Sequence, residues 1–423
     1  MGRLRIGIAG AGTAGLAAAA FLARDGHDVS LFERFKTPKP IGAGLLLQPT
    51  GLAALARLGL DQAAIDLGQP VSQITGDTVA GVRILDLSYR DLGANVFGLG
   101  LHRGSLFQLL YAEVIRLGVA LTPGSDLTGS RRTAAGRTLI DRQGGEFGPF
   151  DLVIDATGVR SPLRRAEAEV RYQRPYPWGA LWGVVAEPPD WPHTHRLLQR
   201  YDGCHTMVGM LPVGSAPGDR RRLIALFWSL KVEDEPRWRA QGLGRWKARV
   251  AAVAPEALAL LAQIDTPAAM TFATYADIAL RRHHGPRIVF IGDAGRALSP
   301  QLGQGANLAL IDAATLAHCL AAAGSLEAAL TDFSRRRRRH DQFYALASRW
   351  LTPFFQSDSR TTRLVRDLAF PHLKRVPGLN RQMALTLAGM KTGLFTHLKT
   401  EARPRDATGA RSASTAGAGL NNT

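Results

Sequence analysis

Arg5-Ile6-Gly7-Ile8-Ala9-Gly10-Ala11-Gly12-Thr13-Ala14-Gly15-Leu16 is the stretch whose reading decides the fold. Arg5 to Ala9 reads as a short buried strand, and Leu16 to Arg24 is rich in helix formers. Between them lies G-x-G-x-x-G, and a strand before it with a helix after it is the context that gives the pattern meaning. Gly10 permits the tight turn, Gly12 lets the backbone approach a pyrophosphate, and Gly15 lets the helix pack on the strand. Thr13 and Ala14 open that helix, whose unpaired N–H groups and positive dipole end face the phosphates. A second strand, His27 to Phe32, ends at Glu33, 21 residues beyond Gly12. At that spacing an acid binds a ribose hydroxyl, here with Arg34 beside it. An adenine dinucleotide is expected. The acid alone does not separate NAD from FAD.

The remaining composition excludes more than it selects. The 423 residues are 46% hydrophobic and 21% charged, a globular balance with room for two or three domains. Lys and Arg outnumber Asp and Glu by 52 to 35, and a net charge of +17 attracts anions of every kind. Cys204 and Cys319 are far apart, which excludes a disulfide framework and a cysteine zinc cluster; free thiols and no metal site are expected. No uninterrupted run of 18 uncharged apolar residues occurs, so no membrane-spanning helix is expected. Arg3 and Arg5 ahead of the small residues Gly10 to Ala23 have the outline of a signal peptide, but such a peptide has no use for glycines at fixed spacing. A cytoplasmic location is the expectation.

A second constellation lies far downstream. Arg287 to Ile291 reads as a buried strand, followed by Gly292-Asp293-Ala294 and then Leu298-Ser299-Pro300-Gln301-Leu302-Gly303-Gln304-Gly305-Ala306-Asn307. Asp293, at a strand end, can accept hydrogen bonds from ribityl hydroxyls. Gly303 and Gly305 let backbone N–H groups approach a flat ligand. The helix beginning near Ala306 points its positive end at the loop, where it stabilises negative charge on a reduced flavin.

This segment resembles the G-D-A-x-H-x-x-x-P-x-x-G-Q-G-x-N pattern of flavoprotein monooxygenases of the para-hydroxybenzoate hydroxylase type, the single-component aromatic hydroxylases. Arg296 stands where that family usually has His, either replacing it or contacting an anionic cofactor. Leu152 to Arg164 resembles the family's A-D-G-x-x-S-x-x-R motif, with Ser161 and Arg164 in place and Thr157 where Asp is common. Ile41 to Pro49, with Gly44 and Leu45, resembles the loop that passes the flavin ring. His102 to Leu106 resembles the helix start where an arginine, here Arg103, meets the pyrophosphate. The matches fall in order over about residues 4 to 340.

The resemblance implies an α/β fold: a Rossmann-like FAD-binding domain (GR2 type) with an inserted antiparallel β-sheet substrate domain and C-terminal helices. Expected boundaries are 1–171 for the first part of the FAD domain, with a substrate-domain excursion near 70–100, then 172–278 for the sheet and 279–350 for the second part. A helical segment at 351–400 and a disordered tail at 401–423 complete the chain. The implied function is an FAD-dependent monooxygenase. It takes NAD(P)H as transient co-substrate and O₂, and hydroxylates or epoxidises an aromatic, polyketide-like or other lipophilic small molecule through a flavin C4a-hydroperoxide. The cofactor carries that chemistry, so no catalytic side chain is assigned. A reductase of the same fold, acting without O₂ insertion, is the alternative. A halogenase is disfavoured, because Trp178 to Trp182 does not fit W-x-W-x-I-P.

Met210, Phe227 and Trp228 are pocket candidates on strands whose large apolar residues serve equally as core. The run Arg335 to Arg339 on a helical pattern points around much of its circumference; a solvated face is expected. No nucleic-acid module accompanies the charge, so no specific nucleic-acid partner is expected. Arg360 to Lys399 mixes cations with apolar residues, either as helices packed on the flavin domain or as elements in peripheral contact with a membrane. Oligomeric state is open.

Overall fold

The computed structural model describes residues 1–39, 43–373, 375–393 and 396. Its first sheet has six strands in the order His284–Gly285, Ile288–Phe290, Leu152–Asp155, Arg5–Ala9, Asp28–Glu33, Ala120–Pro123. All neighbours are parallel except the edge strand His284–Gly285. Parallel strands are buried on both faces, which is why they read as continuous apolar runs. Ile6, Ile8, Leu31 and Ile154 pack on one side against the helices Thr13–Arg24 and Gly305–Ala322. Ala9, Phe32, Val153 and Phe290 pack on the other against the meander Leu127–Thr133, Gly136–Asp141, Glu146–Phe150. The Thr13 helix sits close on the sheet because its inner face is small: Ala17 to Ala20 are fully buried.

The second sheet has eight strands, ordered Arg296–Ala297, Thr271–Leu280, Val170–Ala186, Leu223–Lys231, Thr206–Gly214, Arg196–Asp202, Gln73–Thr78, Arg83–Ser88. Only the pair Arg196–Asp202 and Gln73–Thr78 is parallel. Its strands alternate between two apolar faces. Leu181, Met210, Leu226 and Trp228 face outward, beneath Trp238 and Trp246 of the helices Glu235–Gln241 and Leu243–Val253. Trp182, Leu211, Val213 and Phe227 face inward, toward the strand Gly44–Leu47. The approach is close: a Cβ on Gly44 would lie 2.6 Å from Val213 Cγ1.

The chain crosses between the sheets several times. Residues near 70–100 contribute the strands Gln73–Thr78 and Arg83–Ser88, and positions 172 and 278 fall inside the strands Val170–Ala186 and Thr271–Leu280. Position 350 falls inside the helix Leu326–Phe355, which is followed by Arg360–Leu373 and Leu379–Leu387. Residues 401–423, and Ile41 and Gly42 of the expected flavin loop, lie outside the described residues.

Gly305–Ala322 has the length and mean hydropathy of a membrane span, although Asn307, Asp312 and His318 interrupt its apolar run. With 61% of it buried inside the fold, it serves as a core helix. Cys204 and Cys319 are free and buried.

Candidate active site

The cleft is built where the C-terminal ends of the parallel strands meet the inward face of the antiparallel sheet, the usual place for a ligand in an open α/β sheet. Gly10 leaves the strand Arg5–Ala9 with φ +97°, a conformation that suits glycine. A Cβ on Gly15 would stand 1.8 Å from the Gly10 carbonyl oxygen, so this glycine is required for packing. At Gly12 a Cβ would meet nothing within 4 Å. That open space lies directly before the first turn of the Thr13–Arg24 helix, whose N-cap Gly12 offers no side-chain cap. Unpaired N–H groups facing open space form an anion cradle.

Glu33 is buried at the end of its strand, and its carboxylate accepts hydrogen bonds from Ala11 N (2.9 Å) and Phe35 N (3.0 Å). Arg34 is exposed, with its guanidinium over the Phe35 ring. Gly44 and Leu45 are buried where Gly44–Leu47 pairs with Gly98–His102, and Arg103 N donates to Ala43 O at 3.0 Å. Arg103 opens the helix Arg103–Arg116 and is exposed, near enough to Asp293 and Tyr275 to act on the charge of both.

Two turns face each other across the strand ends. In the first, Asp155 is fully buried and accepts hydrogen bonds from Thr157 N (2.9 Å), Thr157 Oγ1 (2.6 Å) and Ser161 Oγ. Burial pushes the Asp155 pKa up; the hydrogen bonds from Ser161 and Thr157 and the Arg164 charge oppose it. Thr157 thus fastens a carboxylate two residues before the position where the motif commonly carries one, and its hydroxyl is engaged there. Arg164, with no exposed surface, donates to Gly158 O (3.3 Å) and Val159 O in its own turn and to Ala294 O (3.0 Å) in the second.

In the second turn Asp293 is open to the cleft, yet crowding by protein pushes its pKa up, against the pull of Arg296, Arg103 and Arg164. Pro300 begins the turn Pro300–Leu302, and Gly303 takes the left-handed conformation, φ +60°. A Cβ on Gly303 or Gly305 would meet nothing within 4 Å, so both backbones border open space. Ala306 is half-buried in the first turn of the following helix. Asn307 is fully buried and stitches the loop: its Oδ1 accepts from Gln48 N (2.7 Å), and its Nδ2 donates to Leu46 O and Gly303 O (both 3.3 Å). Beside it, Gln48 Nε2 is buried without a hydrogen-bond partner among the described residues. Open glycine backbones, a helix N-terminus, an accessible carboxylate and an orphaned amide together fit a long dinucleotide.

Arg296 is buried and committed to protein carboxylates, so it is not free for the direct contact with an anionic cofactor that is one of its two expected roles. It is 4% exposed and pairs with Asp341 and, at 3.5 Å, with Asp312. Arg337 donates to Asp312 at 2.5 Å and to Asp341 at 3.3 Å, and its Nη1 lies 2.7 Å from His340 Nδ1. Asp312 also accepts from Gly292 N at 2.8 Å, tying the ionic core to the Asp293 turn. The arginine run therefore divides. Arg335, Arg336, Arg338 and Arg339 are exposed as expected, whereas Arg337 is buried.

Burial, then the Arg337 charge, holds His340 down to about 3, against the opposing Asp341. The unfolded chain binds that proton at the ordinary value of 6.5, and the folded chain does not until about pH 3. Stability is expected to fall as pH drops below 6.5. Melting temperature against pH checks this, and His340→Gln flattens the slope.

On the sheet side, the Trp182 and Phe227 rings stand 4.8 Å apart. Phe227 lies flat on its neighbour strand because Gly209 has no side chain; a Cβ there would come within 2.0 Å of the ring. Trp182 Nε1 donates to Tyr275 OH at 3.2 Å. Burial pushes the Tyr275 pKa up, and among the described residues no acceptor takes its proton. Tyr176 OH (2.7 Å) and Gln301 Nε2 (2.5 Å) converge on Gln356 Oε1. Of the three pocket candidates only Phe227 is on this face. Met210 and Trp228 have the opposite strand parity and belong to the outer core.

This α/β scaffold with a glycine cradle at its switch point defines a flavin-dinucleotide protein. The chain belongs to the FAD binding domain family, whose model matches residues 3–343. It is 27% identical over 354 residues to aurachin C monooxygenase/isomerase of Stigmatella aurantiaca, covering 81% of this chain and 87% of that one. It is 30% identical over 376 residues to salicylate hydroxylase of Pseudomonas putida, covering 79% and 82%. In fold it is similar to Klebsiella pneumoniae HpxO, solved with FAD and uric acid, at TM-score 0.76, 22% identity and coverage of 91% and 97%. The protein is an FAD-dependent monooxygenase, and these relatives favour that reading over a reductase. NAD(P)H is the reductant typical of the family.

Proposed function

We propose that the substrate is a flat, lipophilic aromatic molecule, neutral where it meets the sheet, and that one oxygen atom is inserted into its ring. The observation that carries this is the aromatic group of Trp182, Phe227 and Tyr275 on the inward sheet face, where Arg103 is near enough to act on both Tyr275 and Asp293. Aromatic faces recognise flat rings, and the Tyr275 hydroxyl that is hydrogen-bonded to Trp182 is uncharged.

In this reading the N–H groups of Gly12, Thr13 and Ala14, with Arg103, hold the pyrophosphate. Glu33 and Arg34 hold the adenosine ribose, and Gly10 and Gly15 shape the turn. Asp293 takes the ribityl hydroxyls, while Gly44, Leu45, Pro300, Gly303, Gly305 and Ala306 border the ring. Asn307 and Thr157 hold these loops in place. Bound FAD supplies hydride acceptance and O₂ activation. The chain's own residues orient the substrate and exclude water, with the Tyr275 proton directed to a substrate oxygen. A lipophilic substrate resides in bilayers, so peripheral membrane contact belongs to the same reading.

The test is O₂ uptake with NADPH and NADH over neutral phenols, quinolones and polyketide aromatics, beside small aromatic carboxylates. Neutral compounds are expected to stimulate uptake and yield oxygenated product. Trp182→Ala is expected to lower kcat/KM by about tenfold. Stimulation by the carboxylates alone overturns the substrate reading.

A further inference from the structure

We infer that the outward face formed by Leu326–Phe355 and Arg360–Leu373 docks on an anionic lipid surface. Most amphipathic helices bury apolar residues and expose charge. Arg360–Leu373 departs from that order. Its fully buried residue is Arg366, which donates to Gly203 O and Phe354 O at 2.9 and 3.0 Å, while Leu364 (60%), Val365 (48%) and Leu368 (64%) are exposed. On the neighbouring helix Leu346 is 54% and Trp350 70% exposed.

Charge selects the occupant. Arg339, Leu346 and Trp350 recur at helical spacing on one face, and Arg360 lies on the outward side of the second helix. Arg338, Arg339 and Arg360 have no carboxylate partner among the described residues, whereas Asp332, Asp358 and Asp367 nearby are all ion-paired. A second copy docked about a two-fold axis would set this cationic face against the same cationic face. An anionic bilayer pairs with them and takes the apolar residues between.

The face also leads inward. Between the helices lies a groove of about 450 Å³ lined by Trp350, Phe354 and Val365. Arg349 and Pro353 line both this groove and an inner cavity of about 90 Å³ that reaches Tyr176, Ser299 and Thr352. Tyr176 donates to Gln356 Oε1, which also accepts from Gln301 in the Pro300–Leu302 turn. A lipid-dissolved molecule thus meets the protein where a path begins toward the flavin loop. The inference rests on the lipophilic-substrate reading, but its test needs no substrate, so the two fail separately.

The experiment is co-sedimentation of the full-length holoprotein with phosphatidylcholine vesicles, with and without phosphatidylglycerol. Binding is expected only with phosphatidylglycerol and is expected to weaken with salt. The W350S/L364S/L368S variant, altered only at exposed positions, is expected to bind at least about tenfold more weakly while keeping its flavin spectrum and melting temperature. Arg339→Gln and Arg360→Gln are each expected to cost about fivefold. Three results overturn the inference: no binding to phosphatidylglycerol vesicles, wild-type binding by the triple variant, or a solution dimer that the triple variant dissociates.

Discussion

A Gly12→Val variant is expected to purify folded and colourless, and a Gly15→Val variant not to fold. The two glycines sit three residues apart in one motif, and their surroundings differ. At Gly12 the backbone is extended (φ −78°, ψ −174°), a conformation any residue adopts, and the added side chain enters open space. Nothing in the protein resists it. The valine occupies the space in front of the helix N-terminus, where the phosphates come within hydrogen-bond reach of the backbone. At Gly15 the added Cβ meets the Gly10 carbonyl at 1.8 Å, between a helix and a strand that cannot separate without opening the central core. Flavin absorbance and a thermal melt on each variant distinguish the outcomes. Full flavin occupancy in Gly12→Val means that the cofactor lies elsewhere.

Arg337→Leu is expected to cost about 3–5 kcal/mol, because it leaves the buried Asp312 and Asp341 short of a compensating cation. Arg338→Leu, one position along and exposed, is expected to change stability by about 0.5 kcal/mol or less. Chemical denaturation of both variants reads the difference. Equal losses would show that the ionic core carries no special weight. Part of the Arg337 effect reaches the site, since Asp312 also holds Gly292 N beside Asp293. Reduced FAD affinity in any soluble fraction of Arg337→Leu is part of the expected result.

The two predictions separate what the sequence discloses from what it conceals. The glycine motif is local: strand, turn and helix are consecutive, so spacing alone places Gly10, Gly12, Gly15 and Glu33. The Asp293 loop is legible for the same reason. Arg337 is hidden among five like residues, because only the packing of its helix decides which of them points inward. Arg296 is misread on similar grounds, since its partners lie 16 and 45 residues further on. The pocket face fails for a geometric reason. Trp228 and Phe227 are adjacent, and strand parity puts them on opposite faces, but nothing local says which face is inward. Register shifts between Pro175 and Gly179 where Val170–Ala186 pairs with Thr271–Leu280, which hides Tyr275 from any simple alternation.

The strand Ile288–Phe290 and the Gly305–Ala322 helix have a further consequence for the order in which the protein comes into being. The central sheet uses strands from residues 5–33, 120–123 and 152–155, then waits for 284–290, with most of the antiparallel sheet made in between. In the proposed site the residues assigned to the pyrophosphate emerge early, and the Asp293–Asn307 loop follows only after most of the antiparallel sheet. Arg164 meanwhile lacks the Ala294 carbonyl on which it closes. A dinucleotide held as proposed joins segments of the chain made far apart in time.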